Sequence, residues 1–356
     1  MNLFFAWRYF KAKKSTNAIN IIAWVSVSAI IVGTAALIIV LSVFNGLEDL
    51  VKSLYSSFYP EISIAPRTGK FFHLSQAQLQ QLSGNKEIRV YTKVIEDKAL
   101  LQYNTFQPAV LKGVDSNYKY VNGIVCKIVK GKFDLGTEDH PGIVLGIGIE
   151  SALGLEADRS LIPLTVYTFK KDTSKNKDPL ESLSTGNIAA TGSFVIQQDF
   201  DNKYALTNLA FMKSMLGLHD DEFSGVEISL LHPESADRVR ASLQQSFGNK
   251  YLVQTRYEQN QSLYKVMHME KWVIYAVLTL ILIVAAFNMV GALTMLVLEK
   301  QKDIQVLKAM GADDFYVQNI FLSEGLLLAL IGGGIGVLLA ILICWLQVRF
   351  KLVPLQ

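Results

Sequence analysis

The stretch from Phe287 to Gly325, FNMVGALTMLVLEKQKDIQVLKAMGADDFYVQNIFLSEG, decides how this chain is built. An apolar run ends at Leu298, gives way to a short charged segment closed by Met310-Gly311-Ala312, and a second apolar run follows. Such spacing predicts a small amphipathic helix over Glu299 to Met310, held between two membrane-spanning helices. Ile304, Leu307 and Met310 fall on one apolar edge, with Lys300, Lys302, Asp303 and Lys308 elsewhere on the helix. Gly311 suits the C′ position, and Asp313 or Asp314 can cap the helix that follows. On pattern alone two readings stand level: a helix that couples to a soluble partner, and an ordinary solvated turn.

Composition agrees with a membrane protein. Of 356 residues, 51% are hydrophobic and only 18% charged, a departure from soluble averages in both directions. No charge occurs from Ser15 to Leu47, from Trp272 to Leu298, or from Gly325 to Val348. Each run exceeds the ~20 residues that cross a hydrocarbon core. Spans are expected at 19–44, 271–298 and 322–347, the first too long for a cleaved signal peptide. Arg8, Lys11, Lys13 and Lys14 place the N-terminal segment, 1–18, in the cytoplasm by the positive-inside rule. The turn at 299–321 is then cytoplasmic, and 348–356 begins an outer loop.

Between the first two spans, 45–270 is soluble in character. From Glu48 to Glu270 it carries 24 Lys and Arg against 26 Asp and Glu, so nothing favours a nucleic-acid or other polyanion partner. β-Branched and aromatic runs predict strands at Glu61–Ala65, Arg89–Ile95, Ala99–Tyr103, Phe106–Val114, Leu161–Phe169, Gly192–Gln198 and Gly225–Leu230. Helices are predicted at Ser75–Leu82 and Pro233–Phe247. The result is a mixed α/β domain. Helical spacing from Phe44 to Phe58, and again at Leu263, Val266 and Met267, predicts stalk helices at both ends. An amphipathic helix lying on the outer leaflet is the other reading of the first.

Cys126 and Cys344 lie too far apart to pair, and no histidine has a partner at metal-ligand spacing. Neither a nucleophile elbow nor a phosphate loop is present; the run Gly142-Ile-Val-Leu-Gly146-Ile-Gly148 lacks dinucleotide-binding spacing. Nothing points to catalysis or to a metal in this polypeptide. Within the apolar runs, Ala29 with Gly33 and Gly332 with Gly336 form small-xxx-small faces for helix packing, and Asn288 can hydrogen-bond across helices. Glu324 is either an interfacial acid with its head in water or one of a buried functional pair, the first slightly favoured.

Several strings resemble the permease subunits of lipoprotein-releasing ABC transporters (LolC/LolE-like), within the wider FtsX-like and MacB-like permeases. They are WRYFKAKK (7–14), VLSVFNGLED (40–49), VLKGVD (110–115), GIVLGIGIESALGL (142–155), YALTNLAFMKSMLGL (204–218) and, longest, EKWVIYAVLTLILIVAAFNMVGALTMLVLEKQKDIQVLKAMGA (270–312). The resemblance implies an α-helical inner-membrane protein with a large MacB-like periplasmic domain. It implies four spans, of which three are visible here, so the fourth is expected to be missing from this sequence. A separate ATPase subunit would carry ATP and Mg and grip the coupling helix, including Glu299 and Gly311. Two permease chains, identical or not, would assemble in the lipid. A lipoprotein would be released by mechanotransmission and passed to a periplasmic carrier. By position alone, the polar loop Lys170 to Asn187 matches a carrier-docking hook, with Lys170, Lys171, Lys175, Lys177 and Pro179 as its candidate residues. The alternatives are an FtsX-like permease that signals to an outer hydrolase, and a MacB-like exporter of other substrates.

Overall fold

The computed structural model describes residues 17–160, 162–171 and 182–350. The chain forms two compact units: residues through Asp49 together with those from Lys265 onward, and Leu50–Tyr264.

The first unit is helical. Its long helices are α1 (Asn17–Ser56), which passes into the second unit at Leu50, α6 (Gln261–Glu299), which leaves that unit after Tyr264, and α8 (Asp314–Phe350), with the short α7 (Gln301–Ala309) between the last two. Candidate spans are Val27–Ser56, Gln261–Met295 and Asp314–Phe350. Helices of 40, 39 and 37 residues reach ~55–60 Å at 1.5 Å per residue, about twice the hydrocarbon thickness. They therefore continue past the apolar runs that mark them. Asn45-Gly46 does not interrupt α1, since one mid-helix glycine costs only ~1 kcal/mol.

The second unit is built on one ten-stranded sheet. Its strands are β1 (Ile62–Pro66), β3 (Ile88–Gln102), β4 (Phe106–Val114), β5 (Ile128–Gly131), β6 (Gly142–Gly146), β7 (Leu164–Phe169), β8 (Leu183–Phe194), β9 (Tyr204–Asn208), β11 (Gly225–Leu230) and β12 (Tyr251–Thr255), while β2 (Phe72–His73) and β10 (Glu222–Phe223) pair separately. The helices are α2 (Gln76–Gly84), α3 (Ile147–Leu153), α4 (Leu209–Leu216) and α5 (Ala236–Phe247), with several single turns.

Six strands close on themselves in the order β3-β4-β9-β6-β8-β7 and back to β3. Neighbours are antiparallel except β4–β9 and β6–β8. Two of the ring strands, β6 and β9, are buried on both faces. Ile143, Leu145 and Ala205 join one core with α3 and α4, whereas Val144, Tyr204 and Leu206 join another with Phe58. Beyond β3 the sheet continues through β11 and β1 to β12, over a third core with α2 and α5. Ile62 of β1 stands opposite Thr255 of β12.

The structure corrects several strand boundaries. The runs 89–95 and 99–103 are one strand, β3, because the ladder to β4 carries through Glu96, Asp97 and Lys98. The strand expected at 192–198 starts at Leu183 and ends at Phe194, so the far end of the polar loop is strand, paired from Phe169↔Leu183 to Thr165↔Asn187. Ser, Thr and Gly carry weak strand signals, and cross-strand pairing overrides them. Strands β6, β9 and β12 have no counterpart among the expected elements. The glycine run 142–148 is β6 and the start of α3. A Cβ at Gly146 would sit 2.2 Å from the Asp201 carbonyl and one at Gly148 1.7 Å from Asn202 Oδ1, so these glycines admit a close turn rather than a ligand.

The outer edge of β12 is covered by side chains of α5. Gln244 donates to the Tyr251 carbonyl at 3.0 Å and accepts from the Val253 amide at 3.1 Å, while Arg240 Nε donates to the Val253 carbonyl at 3.2 Å. These side chains fill the hydrogen-bonding positions of a missing neighbour strand, which blocks edge-to-edge association. Gln244→Ala should leave the Val253 amide without its acceptor, a loss of about 1 kcal/mol. Amide exchange at Val253 should speed up several-fold in the full-length chain, with exchange in β4 unchanged.

Candidate functional site

The turn between α6 and α8 is fixed by backbone geometry. The Gly311 amide bonds to the Lys308 carbonyl and the Ala312 amide to the Leu307 carbonyl, both at 3.0 Å, with Gly311 at φ +93°. This is a Schellman closure, and it needs a residue free of the left-handed penalty. Lys300 pairs with Asp303 at 2.9 Å, and Lys308 pairs with Asp314 in the first turn of α8. Lys302 is exposed.

The apolar edge of α7 differs from the one expected. Ile304 and Leu307 are half-buried, whereas Met310 is 71% exposed and Val306 59%. At about 100° per residue, Met310 lies ~40° from Val306 but ~120° from Ile304. Two faces therefore exist: 304 and 307 turn toward the chain itself, and 306 and 310 turn outward. Phe315, just beyond the turn, is also 70% exposed. The signal for Val306 was present as an apolar residue off the expected stripe.

The three long helices pack through glycines. A Cβ on Gly332 would lie 3.0 Å from Ile30 Cγ2, one on Gly336 2.8 Å from the Ile31 carbonyl, and one on Gly325 2.8 Å from Leu293 Cδ1. The GxxxG face of α8 therefore meets α1 of the same chain, and Gly325 meets α6. Cys344 Sγ lies 3.8 Å from Ser42 Oγ, and Glu48 of α1 pairs with Lys271 of α6 at 2.5 Å. Gly33 has no heavy atom within 4 Å of a built Cβ, and Ala29 is half-buried. Glu324 is 3% exposed. This overturns the slightly favoured reading of an acid with its head in water, because α8 runs unbroken from Asp314 and places residue 324 in the packed seam. The side chains of Asn288 and Glu299 lie outside the described part of the structure.

In the second unit, Lys170 and Lys171 anchor the base of the polar loop through backbone bonds to Ser182 and Leu216, both 2.9 Å. The Lys171 ammonium is paired with the buried Glu222. Lys175, Lys177 and Pro179 lie outside the described residues. A charge cluster that sequence reasoning missed lies inside the sheet: Lys112 Nζ is 2.5 Å from Glu227 Oε1 and 2.9 Å from Glu96 Oε1. Burial works against the Lys112 charge, but Glu227 and Glu96 outweigh it and hold the ammonium well above its ordinary range. Burial raises the Glu227 carboxyl, with Lys112 opposing. A lone lysine in the otherwise apolar run Ala109–Val114 was the one clue in the sequence.

The model of the FtsX-like permease C-terminal family matches residues 275–354, which include α7 and its turn, and that of the MacB-like periplasmic core domain matches 23–165. Lipoprotein-releasing system transmembrane protein LolC of Neisseria meningitidis is 29% identical over 350 residues, 96% of this chain and 82% of that protein. LolE of Haemophilus influenzae is 27% identical over 344 residues, 96% and 81% of the two chains. The chain is LolC/LolE-like. Among solved structures, the periplasmic region of MacB from Actinobacillus actinomycetemcomitans covers 61% of this chain and 98% of its own, at 14% identity and a TM-score of 0.40. The two family matches fall on the candidate membrane spans and on the first part of the α/β domain of this LolC/LolE-like chain.

The glycine seam makes a paired prediction. Gly336→Leu should force α8 away from the Ile31 carbonyl and cost about 1–3 kcal/mol. Gly333→Leu, at a position with open space, should cost little. Thermal unfolding of the two purified variants in detergent should show a lower midpoint only for the first.

Proposed function

We propose that this chain is the permease subunit of an ABC transporter that draws lipoproteins from the inner membrane by ATP-driven mechanotransmission and delivers them to a periplasmic carrier. The observation that carries the reading is α7, a nine-residue helix clamped between two spans by a Schellman turn, with Val306 and Met310 exposed. Exposed apolar residues on a short charged helix are what a docking cleft desolvates. The printed names of the relatives, lipoprotein-releasing LolC and LolE, supply the cargo in this reading.

In it, a separate ATPase subunit holds ATP and Mg and receives Val306, Met310 and Phe315, with Lys302 at the rim. Ile304 and Leu307 keep α7 seated on its own chain. The basic residues Arg8, Lys11, Lys13 and Lys14, with Lys300, Lys302 and Lys308, put the N-terminus and the α7 turn on the cytoplasmic side, which leaves the α/β domain in the periplasm. A second permease chain, identical or related, completes the transporter within the lipid, with the open Gly33 face of α1 as its contact. The loop after Lys171 meets the carrier.

Met310→Asp tests the docking face. The side chain is exposed, so the fold should change by no more than ~0.5 kcal/mol, while a charge facing an apolar cleft should weaken association at least tenfold, about 1.4 kcal/mol. The variant should insert normally, yet recover little ATPase on co-purification and lose permease-stimulated hydrolysis. Wild-type recovery and stimulation would remove this face from the mechanism.

A further inference from the structure

Lys112 takes no part in docking or helix packing, yet its ammonium is among the most deeply buried charges described. The side chain is 2% exposed, on the strand between β3 and β9. Besides Glu96 of β3 and Glu227 of β11, its Nζ faces two aromatic rings, lying 4.8 Å from the centroid of Phe58 and 5.3 Å from that of Tyr118. Phe58 is 1% exposed and follows α1 by two residues. Its ring also packs on Phe200 at 4.8 Å and Tyr204 at 4.5 Å. One cation thus touches a residue just past the end of α1 and, through its carboxylates, two further strands of the sheet.

Stability alone does not explain such a group. Replacing a buried ion cluster by apolar side chains of similar volume is often neutral or stabilising, because the charges must be stripped of water. What the cluster adds is direction. An ammonium held by two carboxylates presents itself to the face of a ring at one place, whereas apolar contacts tolerate sliding. The backbone beside Phe58 is fixed as well: Asn122 Nδ2 donates to the Phe58 carbonyl at 3.4 Å, and Arg256 Nε to the Tyr59 carbonyl at 3.0 Å.

We propose that Lys112 is a positioning residue that ties the end of α1 to the β-sheet, so that displacement of the helix moves the sheet instead of being absorbed at Ser57–Tyr59. The inference rests on the transport function above for what the movement accomplishes, but the tie itself does not. Removing the lysine alone strands the buried Glu227, so the test variant is Lys112→Met combined with Glu227→Leu; the Glu96 side chain is 35% exposed and keeps access to water. Phe58→Leu is the independent second variant, which keeps an apolar filler and removes only the ring.

Both variants are made in the full chain, assembled with its ATPase in lipid nanodiscs. Amide exchange should rise at least tenfold at residues 57–59 while β3 and β4 stay protected. ATPase binding and basal hydrolysis should stay at wild-type level, and lipoprotein released per ATP hydrolysed should fall at least tenfold. A purely structural role would instead raise exchange through β3 and β4 as well, with hydrolysis and release falling together, and would overturn the proposal. So would wild-type exchange at 57–59, or wild-type release per ATP, in either folded variant. If the double variant does not fold, Phe58→Leu decides by the same measures. If the wild-type assembly releases no lipoprotein, the transport function fails, and the exchange at 57–59 alone settles the tie.

Discussion

The backbone ladder of β3 holds the soluble domain together. Its first half pairs with β11, its second half with β4, and its last three residues with β7 as well. The ring closes only because β3 reaches β7, and the β11-β1-β12 extension stays attached only because β3 starts early enough to reach β11. A fifteen-residue strand is long, well above the usual 5–6. A break at Glu96–Lys98, where three charged residues follow one another, would detach the half of β3 that closes the ring from the half that carries the β11-β1-β12 extension.

What was legible in the sequence was local. Charge-free runs, the charged interruption at 299–310 and the glycine at 311 are signals carried by neighbours, and the structure places helices and a left-handed turn there. The strand at Gly225–Leu230 and the Ser75 cap, whose hydroxyl bonds Gln78 at 3.3 Å, follow from chemistry within a few residues. Strands β6 and β9 escaped because both faces are buried, which erases the alternation that marks a strand. Their glycine-rich or mixed composition then resembles loop.

The site was legible to a lesser extent for the same reason. That α7 exists could be read from spacing, but which face turns outward depends on what lies beside it. That Gly332 and Gly336 pack could be read from the motif, but not that their neighbours are Ile30 and Ile31, some three hundred residues earlier. Lys112 and Glu227 are 115 positions apart, so their pairing leaves no trace in either local run. Burial of Glu324 likewise came from tertiary packing, against the expectation of a wet acid.

The register of β1 with β12 has a mechanical meaning. Ile62, four residues past Phe58, faces Thr255, six residues before α6 begins, so the chain enters and leaves the domain one strand spacing apart, ~4.8 Å. A load carried equally by both connections drags the two strands together and leaves their ladder in register. An unequal load shears it. The domain is therefore compliant to the difference between the two pulls and stiff to their sum, as a differential gauge is, and the threshold for slip is set by the five residue pairs between Ile62 and Pro66.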